Sequence, residues 1–148
     1  MNPSRPQDAV TRETVMTSNH RIDAAAIVLR SALGVMFVAH AMQKYFIFTL
    51  AGTAKFFESL GLPGPLAYVI FALELVGGLM LLAGIKTRWV ASVLAVELIA
   101  ATVPHLANGW MFTAQGGGWE YPAFLAVTAI ASALLGNGAR DDIGSAQS

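Results

Sequence analysis

Residues 24–44 read AAAIVLRSALGVMFVAHAMQK. At a rise of about 1.5 Å per residue, this apolar run is long enough as a helix to cross a hydrocarbon core of about 30 Å. It carries Arg30 inside it, and two further runs carry Glu74 and Glu97 near their middles. A charge at that depth raises the free energy of a spanning helix by about 2.5–3.5 kcal/mol on insertion scales, so it turns inward to a partner or a path. Three such residues on three runs point to one shared site.

Working outward, a second run covers residues 66–82; it opens after Pro63 and Pro65 and closes before Gly84. Proline at a helix start and glycine past its end is the expected punctuation. A third run covers residues 89–104 and a fourth residues 120–135, before Gly136. Both are short for perpendicular spans, so they extend into the flanking loops or sit in a locally thinned bilayer. With 55% hydrophobic and 12% charged residues, the chain is too apolar for an ordinary soluble domain. It reads as one membrane domain with no room for a separate soluble catalytic unit.

The fold expected is an all-α, integral membrane four-helix bundle of up-down-up-down order. Residues 1–23 are polar, with Pro3 and Pro6, and are expected to be disordered or surface-lying. Residues 24–136 form the membrane domain and residues 137–148 a short tail. The first run exceeds a secretory h-region and lacks a cleavage site, so it stays as a transmembrane helix. Arg5, Arg12, Arg21, Lys86, Arg88 and Arg140 fall on one side of the bundle, against Lys44 and Lys55 on the other. The positive-inside rule then puts both termini and the loop at residues 84–88 in the cytoplasm.

Both outer loops have features. TAKFFESLG, residues 53–61, has an N-cap candidate, an apolar pair and a closing glycine, and predicts a short interfacial helix. ANGWMFTAQGGGWEYP, residues 107–122, mixes glycines with Trp110, Phe112, Trp119 and Tyr121, aromatic types that settle at a membrane surface. It is able to fold back over the outer end of the bundle. A zero formal net charge offers no footprint for nucleic acid, and the absence of cysteine excludes a thiol relay or an iron–sulfur cluster on the chain's own residues.

Arg30 facing Glu74 and Glu97 would leave one negative charge in a low-dielectric site, so one carboxyl is expected to be protonated, or the two to share a proton. The competing reading is a structural Arg30–Glu74 ion pair that fixes helix register, with Glu97 neutral and hydrogen-bonded. Gly77 and Gly78 follow Glu74 at helical spacing and allow a neighbouring helix to come close. Arg30, Gly34, Phe37, His40 and Lys44 share one stripe of the first helix.

A second cluster is expected toward the outer face: His40, Lys44, His105 and Glu120. Histidine beside a carboxylate exchanges protons near neutral pH, as a quinol or another two-proton redox partner requires. The alternative is a polar rim, with Glu120 placed for the N-terminal dipole of its helix. His40 and His105 also raise haem ligation, though as a single pair with no further signature, and neither HxxxH nor ExxH spacing supports a metal.

RSALGVMFVAHAMQK, FFESLGLPGP, ELVGGLMLLAGIKTR, PHLANGW, GGGWEYP and LLGNGARDDIG, in that order and spacing over residues 30–143, resemble the DoxX family of small four-helix membrane proteins. The resemblance implies Arg30, Lys44, Glu74, Gly77, Gly78, His105 and Glu120 as matching motif positions. It also implies a link to quinone-coupled respiratory chemistry or to membrane complexes that handle thiol or oxidative stress. The first expectation is therefore a bacterial inner-membrane subunit of a quinone-linked redox complex, with redox-complex proteins or a second copy of itself as partners. A non-enzymatic scaffold and a small solute or proton carrier are the rivals.

Overall fold

In the computed structural model, which describes residues 6–138, helices account for all regular structure. They are α1 (Pro6–Phe46), α2 (Leu50–Ser59), α3 (Leu66–Ala83), α4 (Thr87–Thr102) and α5 (Glu120–Leu135), with a 3-10 turn, Val103–Asn108, continuing α4. Gly84 ends α3 in the left-handed region at φ 70°, and the Ile85 N–H then reaches back to the Met80 carbonyl at 2.9 Å. A side chain is disfavoured at that φ, which is why glycine stands there.

Three helical stretches are long and apolar enough to cross a membrane: Glu13–Phe46, Leu66–Ala83 and Thr87–Asn108. The third reaches that length only because the 3-10 turn prolongs α4. α5 is apolar but has 16 residues, about 24 Å of helix. Val28, Val69, Val96, Phe124, Val127 and Leu134 all stand exposed on the outside of these helices. The helices satisfy their own backbone groups and turn apolar side chains outward, as hydrocarbon demands. The chain is a membrane helical bundle.

The N-terminal segment is helical where disorder was one expectation. Helix α1 is continuous from Pro6, so residues 6–23, expected to be disordered or surface-lying, form a helical extension of the first span that is exposed over residues 13–22. Composition misleads here because extending an existing helix avoids the nucleation cost that a separate polar segment would face. Pro6 suits the first helical position. Residues 1–5 and most of the expected tail, from 139 on, lie outside the described residues.

The four long helices form a ring in the order α1, α3, α4, α5, with α1 against α3 and α4 against α5 as the most extensive pairs. The tight turn between Ala83 and Thr87 makes α3 and α4 antiparallel, and side-chain contacts place the other three neighbouring pairs likewise. Arg30 of α1 reaches Leu81 of α3, Thr87 at the start of α4 donates to Asn137 just beyond α5 at 2.7 Å, and Tyr121 of α5 meets Met36 and His40 of α1. Leu33, Phe37, Leu81, Leu94, Leu98 and Leu125 interlock at the centre. α2 and the loop at residues 109–119 lie at one end of the ring, and the tight turn between α3 and α4 lies at the other.

The α1–α3 approach depends on glycine. A Cβ on Gly34 would stand 2.8 Å from the Gly78 carbonyl oxygen, and one on Gly78 would stand 2.9 Å from the Gly34 carbonyl oxygen and 3.0 Å from the Val38 nitrogen. These neighbours are backbone and cannot rotate away. Gly77, on the adjoining face, takes the Leu94 side chain, with a Cβ there 3.1 Å from it. Small residues permit this approach where no hydrophobic drive exists between helices in lipid. Gly78→Ala is expected to lower stability by about 1–3 kcal/mol through overpacking. Gly52→Ala, which meets only the Thr49 hydroxyl, should leave it unchanged or slightly raised; thermal unfolding in detergent micelles reads both.

Candidate functional site

The buried carboxylate of Glu74, 3% exposed, finds its cation on α1, at the α2 end. Lys44 Nζ donates to both carboxylate oxygens, at 2.7 and 2.8 Å. The pair expected between Arg30 and Glu74 is therefore not formed. Arg30 Nη1 instead donates to the Leu81 and Leu82 carbonyls at 3.0 and 3.3 Å, a cation on the C-terminus of α3 where the helix dipole favours it.

Side-chain direction explains the exchange. With Gly34 against Gly78 in antiparallel helices, Arg30 falls level with Leu82, about 12 Å along the axis from Glu74. Helical side chains lean toward their own N-terminus. Arg30 thus leans toward the terminal end of the bundle and Glu74 toward the α2 end, away from each other. Lys44 leans inward, toward Glu74.

Glu97 of α4 lies within electrostatic reach of both members of the pair, and its buried Oε2 has no hydrogen-bond partner among the described residues. It lines a chamber of about 270 Å³ walled by Leu66 and Ile70 of α3, Ala100 and Ala101 of α4, and Phe56 and Phe57 of α2. A second chamber of about 480 Å³ lies on the α1 side, beside Gln43, Phe48, Gly52 and Thr53. Lys44, Phe56, Phe57 and His105 line both, so the two form one cleft beneath α2.

α2 is the roof of that cleft, and its start differs from the sequence reading. The N-cap is Thr49, whose hydroxyl accepts the Gly52 N–H at 3.0 Å. Thr53 sits inside the helix with its own hydroxyl donating back to the Thr49 carbonyl. The helix thus begins one turn earlier than the Thr53 motif suggests, and Phe56 and Phe57 fall in its second half.

His105 reaches the cleft from the 3-10 turn. Its Nδ1 lies 3.0 Å from the Gly116 carbonyl and 3.1 Å from that of Gly117. Carbonyl oxygens only accept, so Nδ1 carries the proton and a neutral ring keeps its lone pair on Nε2. Asn108 donates to the same two carbonyls, and Trp110 packs edge-on against Trp119 with ring centres 4.5 Å apart. The aromatic loop is thereby folded back onto the 3-10 turn.

The outer cluster expected from the sequence divides. Lys44 and His105 line the cleft; His40 and Glu120 do not. His40 packs against Tyr121, ring centres 6.0 Å apart, at the α1–α5 contact. Glu120 Oε1 accepts the Phe112 N–H at 2.9 Å and closes the aromatic loop. Similar depth along the bundle does not fix azimuth around it, which is what separates these residues. Among the described residues His40 lies beside Gln43 and Phe46 in a separate hollow, apart from the cleft that His105 lines. Sequence reasoning missed the Phe56–Phe57 roof as part of the site, although the aromatic pair itself was visible.

Truncating one member of the Lys44–Glu74 pair leaves a charge without a partner, at about 3–5 kcal/mol for a buried pair. Because the Lys44 side chain is 21% exposed, the low end of that range is expected for Lys44→Met. Lys44→Met combined with Glu74→Leu should recover most of the loss, and thermal midpoints of the two single variants and the double variant decide it.

The geometry can be set beside known proteins. The DoxX family model matches residues 25–107, which takes in Arg30, Lys44, Glu74, Glu97 and His105 and stops short of Glu120. The chain is 35% identical over 120 residues, 80% of its own length and 84% of the other, to a Bacillus subtilis (strain 168) protein named "Putative oxidoreductase CatD". No solved structure matches. With more than half its length under the family model, and its charged cleft residues inside that match, this chain belongs to the DoxX family.

Proposed function

We propose that this protein is a subunit or accessory of a quinone-linked redox complex in a bacterial inner membrane, and that the cleft beneath α2 takes the quinone headgroup. The observation that carries the reading is the cleft's lining: an apolar cavity with Lys44, Glu97 and His105 as its converging polar groups. A ligand site is expected to look like this, mostly apolar with few polar groups that fix orientation. The ring's two oxygens alternate between carbonyl and hydroxyl. Lys44 Nζ donates to a carbonyl, His105 Nε2 accepts from a hydroxyl, and the partnerless Glu97 Oε2 is a buried polar atom that such a headgroup would satisfy. The relative's name supports redox chemistry in general terms.

We assign both termini to the cytoplasm from the positive-inside count of the sequence, in which Arg21, Lys86 and Arg88 flank the bundle end opposite α2. The cleft then faces the outer leaflet. With no cysteine for a thiol relay, the chain's part is to hold the headgroup and its protons, while a partner protein exchanges the electrons. Lipid extracts of the protein purified under mild detergent should contain quinone, and His105→Ala should reduce complementation of a deletion strain. Extracts free of quinone together with full complementation by His105→Ala would remove this reading.

A second reading is a membrane scaffold. The observation that favours it is that Arg30 and the Lys44–Glu74 pair each do a structural task, one holding the α3 C-terminus and the other joining α1 to α3. Full function in the double variant Lys44→Met with Glu74→Leu would favour the scaffold.

A further inference from the structure

The inner chamber's position says how a ligand reaches it. Its walls are Leu66 and Ile70 of α3 and Ala100 and Ala101 of α4, neighbouring helices that meet at Gly77 and Leu94 and hold this chamber between them nearer the α2 end. Ala100 is exposed and Ala101 half-buried, so two of the smallest side chains stand where α4 faces α3 and the outside. The surrounding surface is apolar, with Val69 of α3 and Val96, Ile99 and Val103 along α4 all more than half exposed. In a membrane bundle that surface meets lipid.

We infer that the α3–α4 gap is a lateral entrance from the bilayer, with Glu97 as the headgroup anchor behind it, so that the ligand class is a ring bearing hydroxyl or carbonyl groups on a lipid-dissolved tail. The proposal rests on the quinone reading and narrows it. The tail lies in the gap between Ile70 and Ala101, and the ring passes inward below Phe57 to the partnerless Oε2 of Glu97. A carboxyl suits both forms of such a ring: as carboxylate it accepts from a hydroxyl, and as carboxylic acid it donates to a carbonyl. Lys44 cannot serve alone, because two of its three protons are already held by Glu74. The α1-side chamber has Gln43 and Thr53 as further polar groups in its wall.

The test uses the full chain in lipid nanodiscs and two probes, a hydroquinone carrying a decyl tail and the same ring without it. The wild type is expected to bind the tailed probe more tightly. Ala101→Phe should weaken the tailed probe by about tenfold while leaving the tail-less ring close to wild type. Ile70→Trp, from the opposite wall, should act in the same direction. Glu97→Gln should weaken both probes by about tenfold, the scale of a lost charge-assisted hydrogen bond. A misfolded variant would instead lose both probes in the Ala101 and Ile70 tests, and Ala100→Phe, on the exposed side of the gap, supplies a variant without that risk and with the same expected selectivity. Tailed-probe binding unchanged in Ala101→Phe, Ala100→Phe and Ile70→Trp would overturn the lateral entrance while leaving the quinone reading intact. Both probes unaffected by Glu97→Gln would overturn the anchor. A wild type that binds neither probe would overturn the quinone reading itself.

Discussion

The Glu74 carboxylate, buried among apolar helices, is the constraint on which the rest of the arrangement depends. A lone carboxylate in hydrocarbon is too costly to keep, so a cation has to be brought to it. Lys44 does this from α1 with both oxygens engaged. The pair fixes the axial register of α1 against α3 at the α2 end, and Arg30 on the α3 C-terminus fixes it at the other. Between these two points the helices come to backbone contact at Gly34 and Gly78. Charge sets the register and glycine permits the distance; neither is sufficient without the other.

Much of the fold was legible because apolar length and Pro/Gly punctuation are local signals. Residues 120–135 coincide with α5, and residues 66–82 fall one residue short of the end of α3. The N-terminal helix was hidden because polarity says whether a segment enters lipid and says little about whether a helix already formed continues past it. The start of α2 was hidden for a related reason: Thr49 and Thr53 are both plausible caps in sequence, and only the backbone turn at Thr49 decides between them.

The candidate site was legible by residue type and illegible by pairing. Depth along each helix can be counted from sequence, and it grouped Arg30 with Glu74 and His40 with His105. Contact also requires the right azimuth and the right lean of the side chain, and both follow from packing. Arg30 leans away from Glu74 and Lys44 leans toward it, so a cation assigned to the rim satisfies the core, and a cation assigned to the core caps a helix. Glu120 is similar: its placement at a helix start was visible, whereas its bond to the Phe112 N–H depends on how the aromatic loop folds back.

An asymmetry is left in the cleft once these pairings are made. Glu74, Lys44, Arg30 and Glu120 are each engaged within the chain. Glu97 Oε2 and His105 Nε2 are without partners among the described residues, although a bundle that needed charges only for register could have placed leucine at position 97. Burying an acceptor without a donor costs about 1–3 kcal/mol. A cavity beside that acceptor, lined by Ile70, Ala100, Ala101 and Phe57, adds the loss of packing that well-filled interiors avoid. These two separate penalties at one place would both be offset by a ligand of the proposed kind, whose polar ring would supply the missing partner and the missing volume.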